Sequence, residues 1–135
     1  MLAQGASNLT VNLQLYFLPT SNNPADSLSN GNEVHILQTF IELDPAVAVE
    51  KINDVLEYIT HLNDLLPFGH FGLMGKTLYF KHNCLLNTQA ELQLNRTIVD
   101  QQSELILHLL NLFTATLLAL TRGDISIQTA LDQTL

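Results

Sequence analysis

Residues 68–77 read FGHFGLMGKT, and the fold of the chain turns on how they are understood. The stretch ends in Gly75-Lys76-Thr77, the closing triplet of a phosphate-binding loop of the form G-x-x-x-x-G-K-[ST]. With Gly75 as the second glycine, the first belongs at position 70, which is His70; Gly69 comes one residue too early and Gly72 two too late. Such a loop also needs a buried strand before it and, after it, a helix whose N-terminal amides hold the phosphates. Here Leu65-Leu66-Pro67 closes a helix upstream, and Leu78-Tyr79-Phe80-Lys81-His82 downstream is aromatic-rich and strand-like. The nucleotide reading fails in both spacing and context.

A hairpin accounts for the same residues. A two-residue loop with glycine first favours a type II′ turn, and Gly75-Lys76 meets that requirement. Pairing outward sets Met74 against Thr77, Leu73 against Leu78, Gly72 against Tyr79, Phe71 against Phe80 and His70 against Lys81. One face then carries Leu73/Leu78 and Phe71/Phe80 as core pairs, while on the other Tyr79 covers the bare backbone of Gly72. The register also places His70 and His82 on opposite faces.

Working outward, residues 9–17 alternate, with Leu9, Val11, Leu13, Leu15 and Phe17 on one side and Thr10, Asn12, Gln14 and Tyr16 on the other, the pattern of a half-buried strand. Thr20 to Glu33 is a polar, turn-rich flexible loop of 14 residues. In the next strand, 34–43, Val34, Ile36 and Phe40 share one side and Leu37, Ile41 and Leu43 the other, so both faces are partly covered, as for a strand inside a sheet. Asp44-Pro45 supplies a cap and first residue for a helix over 45–66. Its apolar stripe is Val47, Ile52, Val55, Leu56, Ile59, Leu62 and Leu66. Residues 87–97 are ambiguous: Thr88-Gln89-Ala90-Glu91 matches a capping box, but Leu92 and Leu94 alternate, and an extended or irregular connection is preferred. A long helix then runs from a cap at Asp100 to Arg122, with Gly123 as a left-handed stop and Asp124 as the next cap. Residues 124–135 form a short helix or tail.

The fold class is therefore α+β: an antiparallel sheet of strands 9–18, 34–43, 68–74 and 77–85, packed by a central helix (45–66) and a long C-terminal helix (100–122), in one domain over 1–135. The last helix is apolar around much of its circumference, more than one sheet requires, so a partner surface is expected there. The candidate residues are Leu105, Leu109, Leu112, Phe113, Leu117 and Leu120.

Composition narrows the function. The 135 residues are 47% hydrophobic and 13% charged, which excludes a disordered chain. Net charge is −8, and the five basic residues, Lys51, Lys76, Lys81, Arg96 and Arg122, are dispersed, so nucleic acid is not an expected partner. The N-terminal MLAQGASNLT lacks the basic and apolar regions of a signal peptide, which points to the cytoplasm and makes the sequons at Asn8 and Asn95 fortuitous. Residues 105–121 carry no full charge and reach the short edge of a membrane span, but His108, Asn111, Thr114, Thr116 and Thr121 mark a buried soluble helix. The lone Cys84 reads as a small buried hydrophobe. Glu57/His61/Asp64 and Glu104/His108 have helical spacing but read as solvated acidic faces. The zincin pattern H-E-x-x-H and the nucleophile elbow G-x-S-x-G are both absent from the sequence. No catalytic, metal or cofactor residues are assigned. The alternative to a binding module is a small-ligand or enzymatic site at the helix-hairpin junction, built from His61, Asp64, His70 and His82.

The order strand, strand, helix, hairpin, long apolar helix, with LPFGHFGLMGKTLYFKH (66–82) as its centre, resembles the secretion-chaperone-like fold of type III secretion chaperones and YbjN-like domains. The resemblance covers roughly residues 9–122. Those proteins usually open with a helix and place three strands before the central helix, where this chain shows two. What the resemblance implies is a homodimeric module that binds protein or peptide segments or acts as a regulatory adaptor, without catalysis.

Overall fold

The computed structural model describes residues 9–17, 34–87 and 92–134; the expected loop over 20–33 lies outside the described residues. The elements follow in the order β1 (Leu9–Phe17), β2 (Val34–Leu43), α1 (Ile52–Leu65), β3 (His70–Met74), β4 (Thr77–Asn87), α2 (Leu92–Arg122) and α3 (Ile127–Thr134). The strands form one antiparallel sheet in the order β1-β2-β4-β3, which makes β2 an interior strand, as its two apolar faces require, and the class α+β.

The hairpin has the register that its turn dictates, from Met74↔Thr77 to His70↔Lys81. Gly75 has φ +64° and Lys76 does not share a positive φ, as a type II′ turn requires. A Cβ on Gly72 would stand 2.5 Å from the Tyr79 ring, so the absence of a side chain there is what lets Tyr79 lie across the strand. On the opposite face Phe71 and Phe80 meet edge to face at 5.3 Å and both are buried.

The helices cover that inner face only. Ile41, Leu43, Phe71, Leu78 and Phe80 from the sheet, Val55, Tyr58, Ile59 and Leu62 from α1, Ile106, Leu110, Leu117 and Leu120 from α2 and Ala130 from α3 form one core. Each large side chain buried in this way contributes about 1.5–3 kcal/mol. Burial raises the pKa of the Tyr58 phenol, with hydrogen bonds to Thr134 and Thr116 acting the other way. The Tyr58–Thr134 bond, 2.6 Å long, ties α3 to α1.

Four element boundaries differ from expectation, the first being β3, which opens at His70 and not at residue 68 because Gly69 takes a positive φ. Asp44-Pro45 does not start the central helix: the first helical turn is a 3-10 turn at Val49–Lys51 with no side-chain cap, and α1 proper opens at Ile52. Val47 is buried and its N–H donates to the Lys76 carbonyl at the hairpin tip (2.8 Å), so this segment is committed to a long-range contact. Leu56, placed on the buried stripe by spacing, is 42% exposed, and Tyr58 fills the core instead. The long C-terminal helix begins at Leu92, not Asp100, so residues 92–97 are helical and not the extended or irregular connection preferred from sequence; the capping-box residues 88–91 lie outside the described residues. The physical reason lies in packing: Asn95, Ile98, Val99 and Gln102 are half-buried on the line that continues into Ile106, Leu109 and Leu110. β4 correspondingly runs on to Asn87, pairing with β2 along its whole length.

The stop of α2 follows expectation. Gly123 has φ +79°, its N–H donates to the Leu120 carbonyl and the Asp124 N–H to the Ala119 carbonyl, the pair of bonds that defines a Schellman motif. Asp124 is not the next cap, however. Ser126 Oγ accepts from the Thr129 N–H at 3.1 Å and caps α3, while Asp124 pairs with Arg122 at 3.2 Å.

Candidate functional site

The outer face of the sheet is a surface that the described helices leave open. Register and alternation place Ile36, Gln38, Phe40 and Glu42 of β2 beside Leu85, Asn83, Lys81 and Tyr79 of β4, with His70, Gly72 and Met74 of β3 at the edge. Phe40 and Tyr79 stack at 5.1 Å with ring planes 25° apart, and His70 meets Tyr79 edge-on at 6.1 Å. Leu85 is 67% exposed and Met74 55%, while Ile36, Phe40 and Tyr79 are half-buried. Apolar groups therefore sit at both ends of the face, with Gln38 and Asn83 paired between them. Among the described residues this face combines the apolar groups with Gln38, Asn83, Glu42, Lys81 and His70.

The β3 edge is closed by a side chain. Asn63 of α1 donates Nδ2–H to the Phe71 carbonyl (3.0 Å) and accepts the Phe71 N–H on Oδ1 (2.8 Å), taking up both outward backbone groups of that residue. An edge strand otherwise offers those groups to any extended chain. Nothing in the local sequence marks Asn63, a polar residue on an amphipathic helix; its role exists only because β3 packs beside α1.

The leucines of α2 divide into two sets. Leu109, Leu117 and Leu120, expected in a partner surface, are buried in the core and cannot present one; Phe113 is half-buried against the same core. Leu105 and Leu112 remain, 43% and 55% exposed. Leu105 lines a shallow groove of about 430 Å³ together with Gln101, Glu104 and His108. Among the described residues α2 is also the one helix long and apolar enough to cross a membrane, over Asn95–Arg122, and its buried residues are part of the core just described.

The four residues of the alternative site do not converge. His70 is exposed on the outer face; His82 lies on the inner face, 4.7 Å from the Phe68 ring, with a hydrogen bond to Gln102. Asp64 is exposed on α1 and the Nε2 of His61 is buried without a partner. Among the described residues no group of three or more His, Cys, Asp or Glu is arranged to hold a metal ion. Burial holds His82 below the usual imidazole pKa, opposed by the Gln102 bond. Gln102 also donates to the Cys84 sulfur at 3.0 Å, and Cys84 is buried, as a small core residue is expected to be.

Among the described residues Glu57/His61/Asp64 gains no further ligand, and Glu104/His108 sits on the open groove of α2. Compared with known proteins, the chain matches no family model, no curated protein and no solved structure.

Proposed function

We propose that the chain is a non-enzymatic protein-binding module, a chaperone-like or regulatory adaptor of the secretion-chaperone-like, YbjN-like kind, which works in the cytoplasm as a homodimer and holds protein or peptide segments. The observation that carries this reading is the outer face of the sheet: a surface with exposed Leu85 and Met74 at its two ends, opposite the face on which Ile41, Leu43, Phe71, Leu78 and Phe80 pack in the core with the helices. Exposed Leu85 and Met74, on a face that also carries half-buried Ile36, Phe40 and Tyr79, support an interaction surface there. The stacked Phe40 and Tyr79 supply a rigid aromatic platform, the residue type enriched where binding energy concentrates.

The test begins with affinity purification from the native cell and mass spectrometry to identify the held polypeptide. Its binding segment is then titrated against the wild type and against a Phe40→Asp/Leu85→Asp variant. The proposal expects affinity to fall by about tenfold or more, with the thermal transition retained. Unchanged affinity in a folded variant would refute the sheet face as the binding surface.

A further inference from the structure

The two edges of the sheet differ. β3 is five residues long, α1 packs beside it, and Asn63 already occupies both outward groups of Phe71. β1 is nine residues long and, among the described residues, bonds on one side only, to β2. Edge strands are kept from pairing by bulges, prolines, charged side chains or shortness. The register of β1 runs unbroken from Leu9↔Leu43 to Phe17↔His35, and LTVNLQLYF holds no charge, proline or glycine, so β1 has none of these guards. Alternate residues of an antiparallel strand direct both backbone groups to the same side, so about half of the nine offer an N–H and a carbonyl away from β2.

Resting on the dimeric reading above, we infer that two copies pair edge to edge through β1, antiparallel and centred on Leu13, so that the two Leu13 residues stand opposite each other. A closed two-fold pair of neighbouring strands is antiparallel, and a register that keeps each face intact sets odd positions against odd and even against even. Centring on Leu13 is the register that uses the whole strand: Leu9 meets Phe17, Val11 meets Leu15, Thr10 meets Tyr16 and Asn12 meets Gln14. The two-fold then stands perpendicular to the sheet, keeps the helices of both copies on one side and joins two four-stranded sheets into one with a continuous outer face. α1, beside β3 at the far edge, stays clear of the junction.

Bonding and charge agree with a second copy as the occupant. Nine paired residues form about eight to ten hydrogen bonds between the copies, depending on which alternate set faces outward. That number falls within the range of roughly 10 ± 5 in a typical protein–protein interface. The footprint is narrow, which sets the dissociation constant at about micromolar. β1 itself brings no charge to the junction, and Glu42, opposite Thr10, is the one carboxylate on β2. Its counterpart lies three strand spacings across and six residues along, about 25 Å away, beyond the screening length of about 8 Å at physiological salt. Each copy still carries a net charge of −8, so added salt should tighten the pair.

Sedimentation equilibrium and cysteine crosslinking test the pairing. Asn12→Lys/Gln14→Lys sets lysine opposite lysine at two symmetric places and should weaken dimerisation by about tenfold, although it brings the net charge nearer to zero. Mixing that variant with Asn12→Asp/Gln14→Asp should restore the pair. In a Cys84→Ser background, Asn12→Cys and Gln14→Cys chains should form a disulfide when mixed and mildly oxidised, their Cα atoms being about 5 Å apart. Neither should crosslink to itself, because like positions stand about 8 Å apart. A wild type that dimerises while the lysine variant binds as before and the mixed cysteine chains stay unlinked overturns this edge and leaves the dimer reading standing. A wild type that stays monomeric at about 0.5 mM, well above micromolar dissociation constants, overturns both.

Discussion

Asn63 carries a heavier structural role than its position on a helix face announces. Its carboxamide takes both the N–H and the carbonyl of Phe71, so Asn63→Ala leaves two backbone groups of a half-covered edge without their partner. The expected loss is about 1–3 kcal/mol, read from the midpoint of urea unfolding with an unchanged slope. His82 makes a second prediction. Its pKa is depressed in the folded protein, so the unfolded chain binds its proton more readily, and the stability that the neutral imidazole contributes is present above the unfolded value of 6.5. That contribution is lost as the pH falls from 6.5 through the lower folded pKa. Thermal melts at pH 7.5 and pH 5 should show a loss of stability on acidification, and His82→Gln should reduce the difference; an equal loss in the variant would assign the effect elsewhere. The alternation that put His82 on the inner face was legible in the sequence, because a two-residue glycine turn leaves one register. The Asn63 clamp was not, because sequence spacing carries no information about which strand edge a helix will meet.

At the scale of elements, the hairpin and the sheet followed from local rules and the helix starts did not. Gly75-Lys76 fixes the turn, and the paired Leu73/Leu78 and Phe71/Phe80 then fix the buried face without reference to anything distant. Asp44-Pro45 satisfies a local rule for a helix start, yet the Val47 N–H goes to Lys76, a partner 29 residues further along the chain, and α1 opens later. The early start of α2 has the same kind of cause: the first two turns pay no attention to the strand-like Leu92/Leu94 alternation because the line Asn95, Ile98, Val99 and Gln102 packs inward. Composition likewise showed that α2 is apolar on too many sides, but could not say which leucines the core would take. α3 packs on both α1 and α2 through a fully buried Ala130, half-buried Ile127 and Leu131, and the Tyr58–Thr134 bond. Ala130→Leu forces extra methylenes into a filled site and should cost about 1–3 kcal/mol, measured by chemical denaturation. A neutral outcome would mean that α3 can shift away from α1 at little cost.

The whole molecule is a half-clad sheet. Helices close one face, Asn63 closes part of one edge, and the outer face with Phe40, Tyr79, Leu85 and Met74 stays open among the described residues. The stripe of α2 that holds Leu105 and Leu112 is a second open surface, on the helical side. A second copy of the chain and a held polypeptide are the two partners proposed for this molecule. The central claim is dimerisation, and sedimentation equilibrium from about 10 µM to about 0.5 mM, a span that brackets micromolar association, tests it most directly. The account predicts a mass rising from one chain of 15.0 kDa toward twice that value as concentration increases, more steeply at higher salt. A mass fixed at that of a single chain across the whole range would contradict it.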